Sequence, residues 1–340
     1  MKDLTPIFSA VISFAVTALL GFVVIPFLHK LKFGQTIREI GPSWHKNKQG
    51  TPTMGGVMIM AGVLVSLLFA FAIAFLIKGD FYSDITNPKR FAMMISGVVM
   101  AYAMGLIGFA DDFIKVVKKR NLGLTVLQKT IMQSFVCAAY LVALAFAGMD
   151  QTWLPFVGFI DITSGAGLLA WPIMFFFIYG FTNAVNLTDG IDGLASTVTL
   201  VVCCTFMLIS GFTSLIAIDT FAAVAAGACA GFLVWNFHPA KVFMGDTGSM
   251  FLGGVVVALA FGTQRPVLLL AAGIVYLCEA LSVVLQVASF KLTGKRIFKM
   301  SPIHHHFEMS GWNEEKIDFV FGFVTLLGGI VAVLPVLLNK

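Results

Sequence analysis

Charge is what this sequence has least of: Asp, Glu, Lys and Arg make up 11% of its 340 residues against 59% hydrophobic ones, far from a soluble composition. That scarcity excludes a solvated globular protein and makes each charged residue beside an apolar stretch a candidate for chemistry. Cysteine is sparse too, and the five present (Cys137, Cys203, Cys204, Cys229 and Cys278) sit in apolar runs without CxxC spacing or histidines at metal-ligand intervals. They read as small core residues and say little about redox compartment. No connection between apolar segments reaches thirty residues, so residues 1–340 read as a single polytopic membrane domain. No internal repeat or low-complexity tract stands out. The net charge of +5 does not indicate nucleic acid, because the basic residues are confined to the connections.

The apolar segments are what the chain does have. A helix needs about 20 such residues to cross the hydrocarbon of a bilayer. That criterion gives ten spans, near 7–28, 55–77, 91–110, 125–148, 168–185, 194–211, 216–235, 248–263, 268–290 and 318–338. The expected fold is therefore an all-α integral membrane protein with ten transmembrane helices. The first run is too long for a signal-peptide core and lacks a small-residue cleavage site, so it reads as a retained span. Loops 29–54, 111–124, 186–193, 236–247 and 291–317 hold 15 of the 22 Lys and Arg residues, while the tails and opposite loops hold 6. The positive-inside rule then makes these five loops cytoplasmic and both termini extracytoplasmic. The outer segment 149–167, with partial alternation from Trp153 to Ile162, reads as a short hairpin.

Every acidic or histidine-rich motif falls on the inner side. Asp111 and Asp112 end the third apolar run and precede Lys115, Lys118, Lys119 and Arg120. Adjacent helical residues point about 100° apart, so one carboxylate suits a metal or reacting oxygen while the other holds a lysine or backbone group. Acids at a helix C-terminus oppose its dipole, which points to a functional cause over a simple interfacial stop. Asn186-Leu187-Thr188-Asp189-Gly190-Ile191-Asp192-Gly193 packs two carboxylates and two glycines into one very short loop. Glycine allows backbone to approach a ligand closely, and the oxygens suit Mg²⁺ or a base or sugar group. Asp192 also fits a helix cap. In Phe243-Met244-Gly245-Asp246-Thr247-Gly248, downstream of Asn236 and His238, Asp246 either caps the eighth span or ligates a metal. The second is favoured because it adds to acids gathered on one face of a charge-poor chain.

Three consecutive histidines, His304, His305 and His306, cannot easily all ligate one ion and lack zinc spacing. They read as donors to an anion such as phosphate, oriented by Glu308 and Trp312. In the first inner loop, His45-Lys46-Asn47-Lys48-Gln49 leads to Thr53 and Gly55-Gly56. A lysine, a hydroxyl and exposed amides suit phosphate, although the Walker pattern is missing and a basic topogenic loop is the plainer reading. Glu279 lies near the middle of the ninth span, where an ionisable group needs a partner or water, and Lys129 is one candidate.

Acids for a divalent cation, with lysines and histidines for phosphate beside a bilayer, fit phosphoryl transfer involving a lipid phosphate. The segments DDFIKV (111–116), NLTDGIDGLA (186–195), FMGDTGS (243–249) and PIHHHFE (302–308) resemble the polyprenyl-phosphate N-acetylhexosamine-1-phosphate transferases. KQGTPTMGG (48–56), taken with PIHHHFE and the following GW, is similar to the branch whose donor is UDP-N-acetylmuramoyl-pentapeptide. The resemblance implies an Mg²⁺-dependent transfer to undecaprenyl phosphate, giving lipid I and UMP in peptidoglycan synthesis. It also implies a multi-pass protein of the bacterial inner membrane with a cytoplasm-facing cleft; a homodimer is left open. Residue by residue, Asp111 and Asp112 match the family's acid pair, Asp246 its Mg²⁺ ligand and His304 a residue important for activity. Lys48, Thr53, Asn186, Asp189, Asp192, Asn236, Phe243, His305 and His306 match positions associated with the nucleotide-sugar site. The alternatives are a sister enzyme using UDP-N-acetylglucosamine, which HHHFE argues against, and an ion-coupled transporter, for which only Glu279 is clearly at the midplane.

Overall fold

The computed structural model describes residues 4–30, 48, 50–118 and 122–338. His45, Lys46, Asn47 and Gln49 of the first inner loop, and Lys119 and Arg120, lie outside the described residues. In chain order the elements are α1 (Thr5–Lys30), α2 (Gly56–Ile77), a short α3 (Asp80–Thr86), α4 (Pro88–Val117) and α5 (Val126–Phe146). Then come β1 (Gln151–Leu154), β2 (Gly158–Asp161), α6 (Ala170–Thr188), α7 (Leu194–Phe212), α8 (Ile216–Asn236) and α9 (Gly245–Gly262). The chain ends with α10 (Leu268–Ala272), α11 (Ile274–Thr293), α12 (Ile303–Glu308) and α13 (Glu314–Leu338).

Among the described residues ten helices are long and apolar enough to cross a membrane, and each answers to one expected segment. Helices are the natural outcome, because a backbone group without a partner in hydrocarbon costs several kcal/mol and a helix closes its own bonds. Residues Gln151–Leu154 and Gly158–Asp161 pair antiparallel as the expected hairpin. Its Trp153 amide donates to the Gln264 carbonyl at 2.9 Å, tying it to the end of α9.

Two segments depart from expectation. The third apolar run stops near 110, yet α4 continues to Val117 and carries Asp111 and Asp112 inside the helix. Lys115, one turn on, lies 2.6 Å from Asp111 and 3.6 Å from Asp112, so the charges are paired and the helix has no reason to stop. The ninth segment, expected to be continuous, breaks at Gly273 (φ −102°, ψ 28°) into α10 and α11.

The core is centred on α9, whose apolar window is 89% buried, against 22% for α1 and for α11. Small residues bring it there. A methyl group added at Gly254 would stand 2.5 Å from the Ala101 Cα of α4, and one at Gly253 would stand 2.8 Å from the Thr182 Cα of α6. From the facing side, a methyl on Gly97 would meet the Ala258 Cβ at 2.8 Å. Lipid tails are as apolar as leucine, so association between spans relies on such close van der Waals packing. A leucine at Gly254 should overpack this contact and lower thermal stability in detergent by about 1–3 kcal/mol. Gly180 of α6 has nothing within 4 Å of an added Cβ, so Gly180→Leu should leave the melting temperature nearly unchanged. Equal melting of the two variants would refute this account of the core.

Candidate active site

Backbone pairing assembles the site before any side chain does. The segment leading into α2 lies along the one leading into α9: the Phe243 amide donates to the Pro52 carbonyl and the Gly55 amide to the Phe243 carbonyl, both at 2.8 Å. This brings Thr53 to the start of α9, where a Cβ on Gly245 would stand 2.8 Å from Thr53 Oγ1 and 2.5 Å from Asp112 Oδ2. Gly245 also has φ +68°, a conformation glycine adopts without steric cost.

Three carboxylates meet at this point. Asp112 Oδ2 accepts from the Thr247 amide (2.9 Å) and hydroxyl (2.7 Å), capping α9 from the neighbouring helix. Asp111 Oδ1 accepts from the Leu124 amide at 2.8 Å. Asp246, in the first turn of α9 where the helix dipole favours an anion, accepts from Asn186 Nδ2 at 2.9 Å. Each acid thus has one oxygen held by uncharged donors, and the other faces Lys115: 2.6 Å from Asp111, 3.6 Å from Asp112 and 3.0 Å from Asp246. Lys129 of α5 adds a second cation 3.0 Å from Asp246. One oxygen from each acid lies within 4.8 Å of the others, a group able to hold a metal ion.

A second polar centre lies at the other end of the 186–193 loop. Lys48 Nζ sits 2.6 Å from both Asp192 Oδ1 and Glu314 Oε2. Asp192 Oδ2 also meets the Ala240 amide (2.9 Å) and His238 Nδ1 (3.1 Å), and its own amide donates to Glu314 at 2.9 Å. Asn236 is turned to the backbone, accepting from the Gly193 amide at 3.2 Å and donating to the Val242 carbonyl at 2.9 Å. Phe243 is half-buried. The three histidines share α12 and diverge. His304 is buried with Nδ1 3.1 Å from Glu279, and His305 Nδ1 lies 2.5 Å from Glu308. His306 Nδ1 accepts from the Lys299 amide at 3.2 Å.

The model for glycosyl transferase family 4 matches residues 94–264, and signature 1 of the phospho-N-acetylmuramoyl-pentapeptide-transferases matches residues 48–60. A phospho-N-acetylmuramoyl-pentapeptide-transferase of Halalkalibacterium halodurans is 43% identical over 98% of both chains. Those of Acetivibrio thermocellus and Clostridioides difficile are 45% and 44% identical, covering 94% and 97% of this chain and 92% and 97% of their own. This chain belongs to the phospho-N-acetylmuramoyl-pentapeptide-transferase family. The signature segment of the family holds Lys48 and Thr53, and the longer match holds Asp111, Asp112, Asn186, Asp189, Asp192, Asn236, Phe243 and Asp246. The histidine loop lies outside both.

Of the family residues expected from sequence, the structure joins Asp111, Asp112, Asn186 and Asp246, with Thr53 beside them, and separately joins Lys48 and Asp192. His305 pairs with Glu308, and His306 accepts from the Lys299 amide. Lys129, one candidate partner for Glu279, instead binds Asp246, as α5 packs against α4 and α6. Glu314 and Lys115 carry as much of the geometry as the expected residues. Glu314 resembles any acid in the first turn of a helix, and only its position opposite Lys48 distinguishes it.

Asp189, just past α6, has its carboxyl held well above the usual carboxylate range, first by desolvation and then by the charges of Asp246, Asp112 and Asp192. The fold therefore favours the neutral acid. In the unfolded chain this group ionises near pH ~4, so its contribution to stability is lost as pH rises from there toward the folded value. Asp189→Asn should melt at the wild-type temperature near pH 4 and above it near pH 8, without divalent cations. A variant that melts lower than wild type at pH 8 would contradict the assignment.

Proposed function

We propose that this protein transfers phospho-N-acetylmuramoyl-pentapeptide from its UDP donor to undecaprenyl phosphate, releasing UMP and forming lipid I. The reading places it in the bacterial inner membrane with both termini outside and the two polar centres facing the cytoplasm. The observation that carries it is the convergence of Asp111, Asp112 and Asp246 on Lys115 and Lys129, at the ends of apolar helices, in a chain similar over its length to transferases of that name.

The donor set fits Mg²⁺: hard carboxylate oxygens gathered within 4.8 Å, with an ammonium at the point on which they converge. Asp246 is the assigned ligand, with Asp111 and Asp112 beside it. Held by these acids, Mg²⁺ would supply positive charge against the diphosphate of the donor, its usual service in phosphoryl transfer.

In the proposed reaction an oxygen of the lipid phosphate bonds to the β-phosphorus while that phosphorus loses its bond to the bridging oxygen, whose electron pair leaves with UMP. A phosphate monoester has its second pKa near ~6 and is largely ionised at neutral pH, so no strong base is required. Lys115 and Lys129 supply positive charge where the transferring group becomes more negative. Asp111 and Asp112, each engaged by Lys115 and by backbone donors, suit positioning better than attack, which favours one displacement over a phospho-enzyme. Lys48, Thr53, Asn186, Asp189, Asp192, Asn236, His305 and His306 are assigned to the nucleotide-sugar, with Phe243 stacking on uracil.

The test is UMP release by purified protein in detergent, given undecaprenyl phosphate and either UDP-N-acetylmuramoyl-pentapeptide or UDP-N-acetylglucosamine. Release should occur only with the first donor, require Mg²⁺, and fall at least ~10²-fold in Asp246→Asn, the scale of losing one electrostatic stabiliser. Release with N-acetylglucosamine alone would assign the sister reaction. Labelled UMP exchanging into the donor without lipid phosphate would support the covalent route.

A further inference from the structure

Glu279 and His304 are both completely buried, 0% exposed, with Oε2 and Nδ1 3.1 Å apart. Lys129 is committed to Asp246, so among the described residues His304 is the partner of this carboxylate. The other edge of the imidazole lies against the 186–193 loop: a Cβ on Gly190 would overlap His304 Nε2 and Cε1. That loop is anchored on one side by Asn186 to Asp246 and on the other by the Asp192 amide to Glu314, so its middle rests on the ring. Well-packed apolar side chains would hold α11, α12 and the loop together at least as stably as a buried charged pair. Glu279 Oε2 also accepts from the His304 backbone amide at 3.4 Å, which ties the start of α12 to α11 and sets where the ring stands.

We infer that Glu279 is a positioning residue for the transfer, acting through His304 and Gly190 to set the 186–193 loop between the two polar centres; this rests on the function proposed above. The experiment compares wild type, Glu279→Leu, Glu279→Gln, Gly190→Ala and the Leu/Ala double variant by steady-state UMP release, UMP affinity and melting temperature. Glu279→Leu should lower kcat by ~10²-fold, the scale of a displacement of about 1 Å, while KM for undecaprenyl phosphate stays near wild type. Removing one member of a buried pair also lowers the melting temperature, so kcat is compared at a temperature where every variant is folded. Glutamine keeps an oxygen that accepts from the His304 backbone amide and should restore kcat to within about tenfold of wild type. Gly190→Ala should reproduce the leucine defect, and the double variant should be no worse than either single change, because both act on one contact.

Wild-type kcat in Glu279→Leu, losses that multiply in the double variant, or a glutamine variant as inactive as leucine would each overturn the inference. If Glu279→Leu does not fold, Glu279→Gln and Gly190→Ala decide it by the same criteria. No release from any donor by wild type would instead refute the proposed function, and the coupling between Glu279 and Gly190 would then be read from UMP affinity and the melting temperatures.

Discussion

Everything at the site depends on how closely backbone can approach the first turn of α9. Gly108 of α4 lies against the Asp246 carbonyl and the Thr247 amide, and Gly56 of α2 lies against Gly248, with no room for a Cβ at either contact. Once those backbones touch, Asp246 must share a small volume with Asp111 and Asp112, which the same face of α4 brings alongside. Like charges held this close favour protonation unless cations intervene, and Lys115 and Lys129 intervene. Close packing therefore creates the acid cluster, and the cluster in turn demands the lysines. Gly56, Gly108 and Gly248 are as much a part of the site as the side chains they bring together.

Local pattern carried most of what could be read before the structure. Ten spans follow from runs of apolar residues, since burial in lipid is a property of each segment alone. The acid motifs were legible for the opposite reason, because each is an exception within such a run. What local pattern could not carry was adjacency. Lys129 looks the same in sequence whether it faces Glu279 or Asp246, and only the packing of α5 beside α4 and α6 decides. Glu314 could not be told from an ordinary first-turn acid, and three adjacent histidines gave no sign that a six-residue helix would send them different ways. The end of α4 was misplaced for a related reason: Asp111 and Asp112 stop a helix only if nothing neutralises them, and their partners are one turn on and across on α9.

The two polar centres differ in what their acids hold. At the first, three carboxylates converge on two ammonium groups. At the second, Lys48 bridges Asp192 and Glu314 while His238 lies 3.1 Å from Asp192, and the bonds there also fix backbone amides at residues 192 and 240. In the proposed function the first takes the metal and the diphosphate, and the second, whose bonds already hold loops in place, recognises a less charged group. In the proposed reaction those are the two ends of one donor, and the 186–193 loop is what joins them. Asn186 reports to the first centre and Asp192 to the second, so the loop fixes the distance between the reacting phosphorus and the nucleoside. A support beneath its middle, where Gly190 meets His304, is then placed to govern both ends at once. By the inference drawn above, the buried carboxylate of Glu279, which touches neither centre, takes part in this alignment through His304.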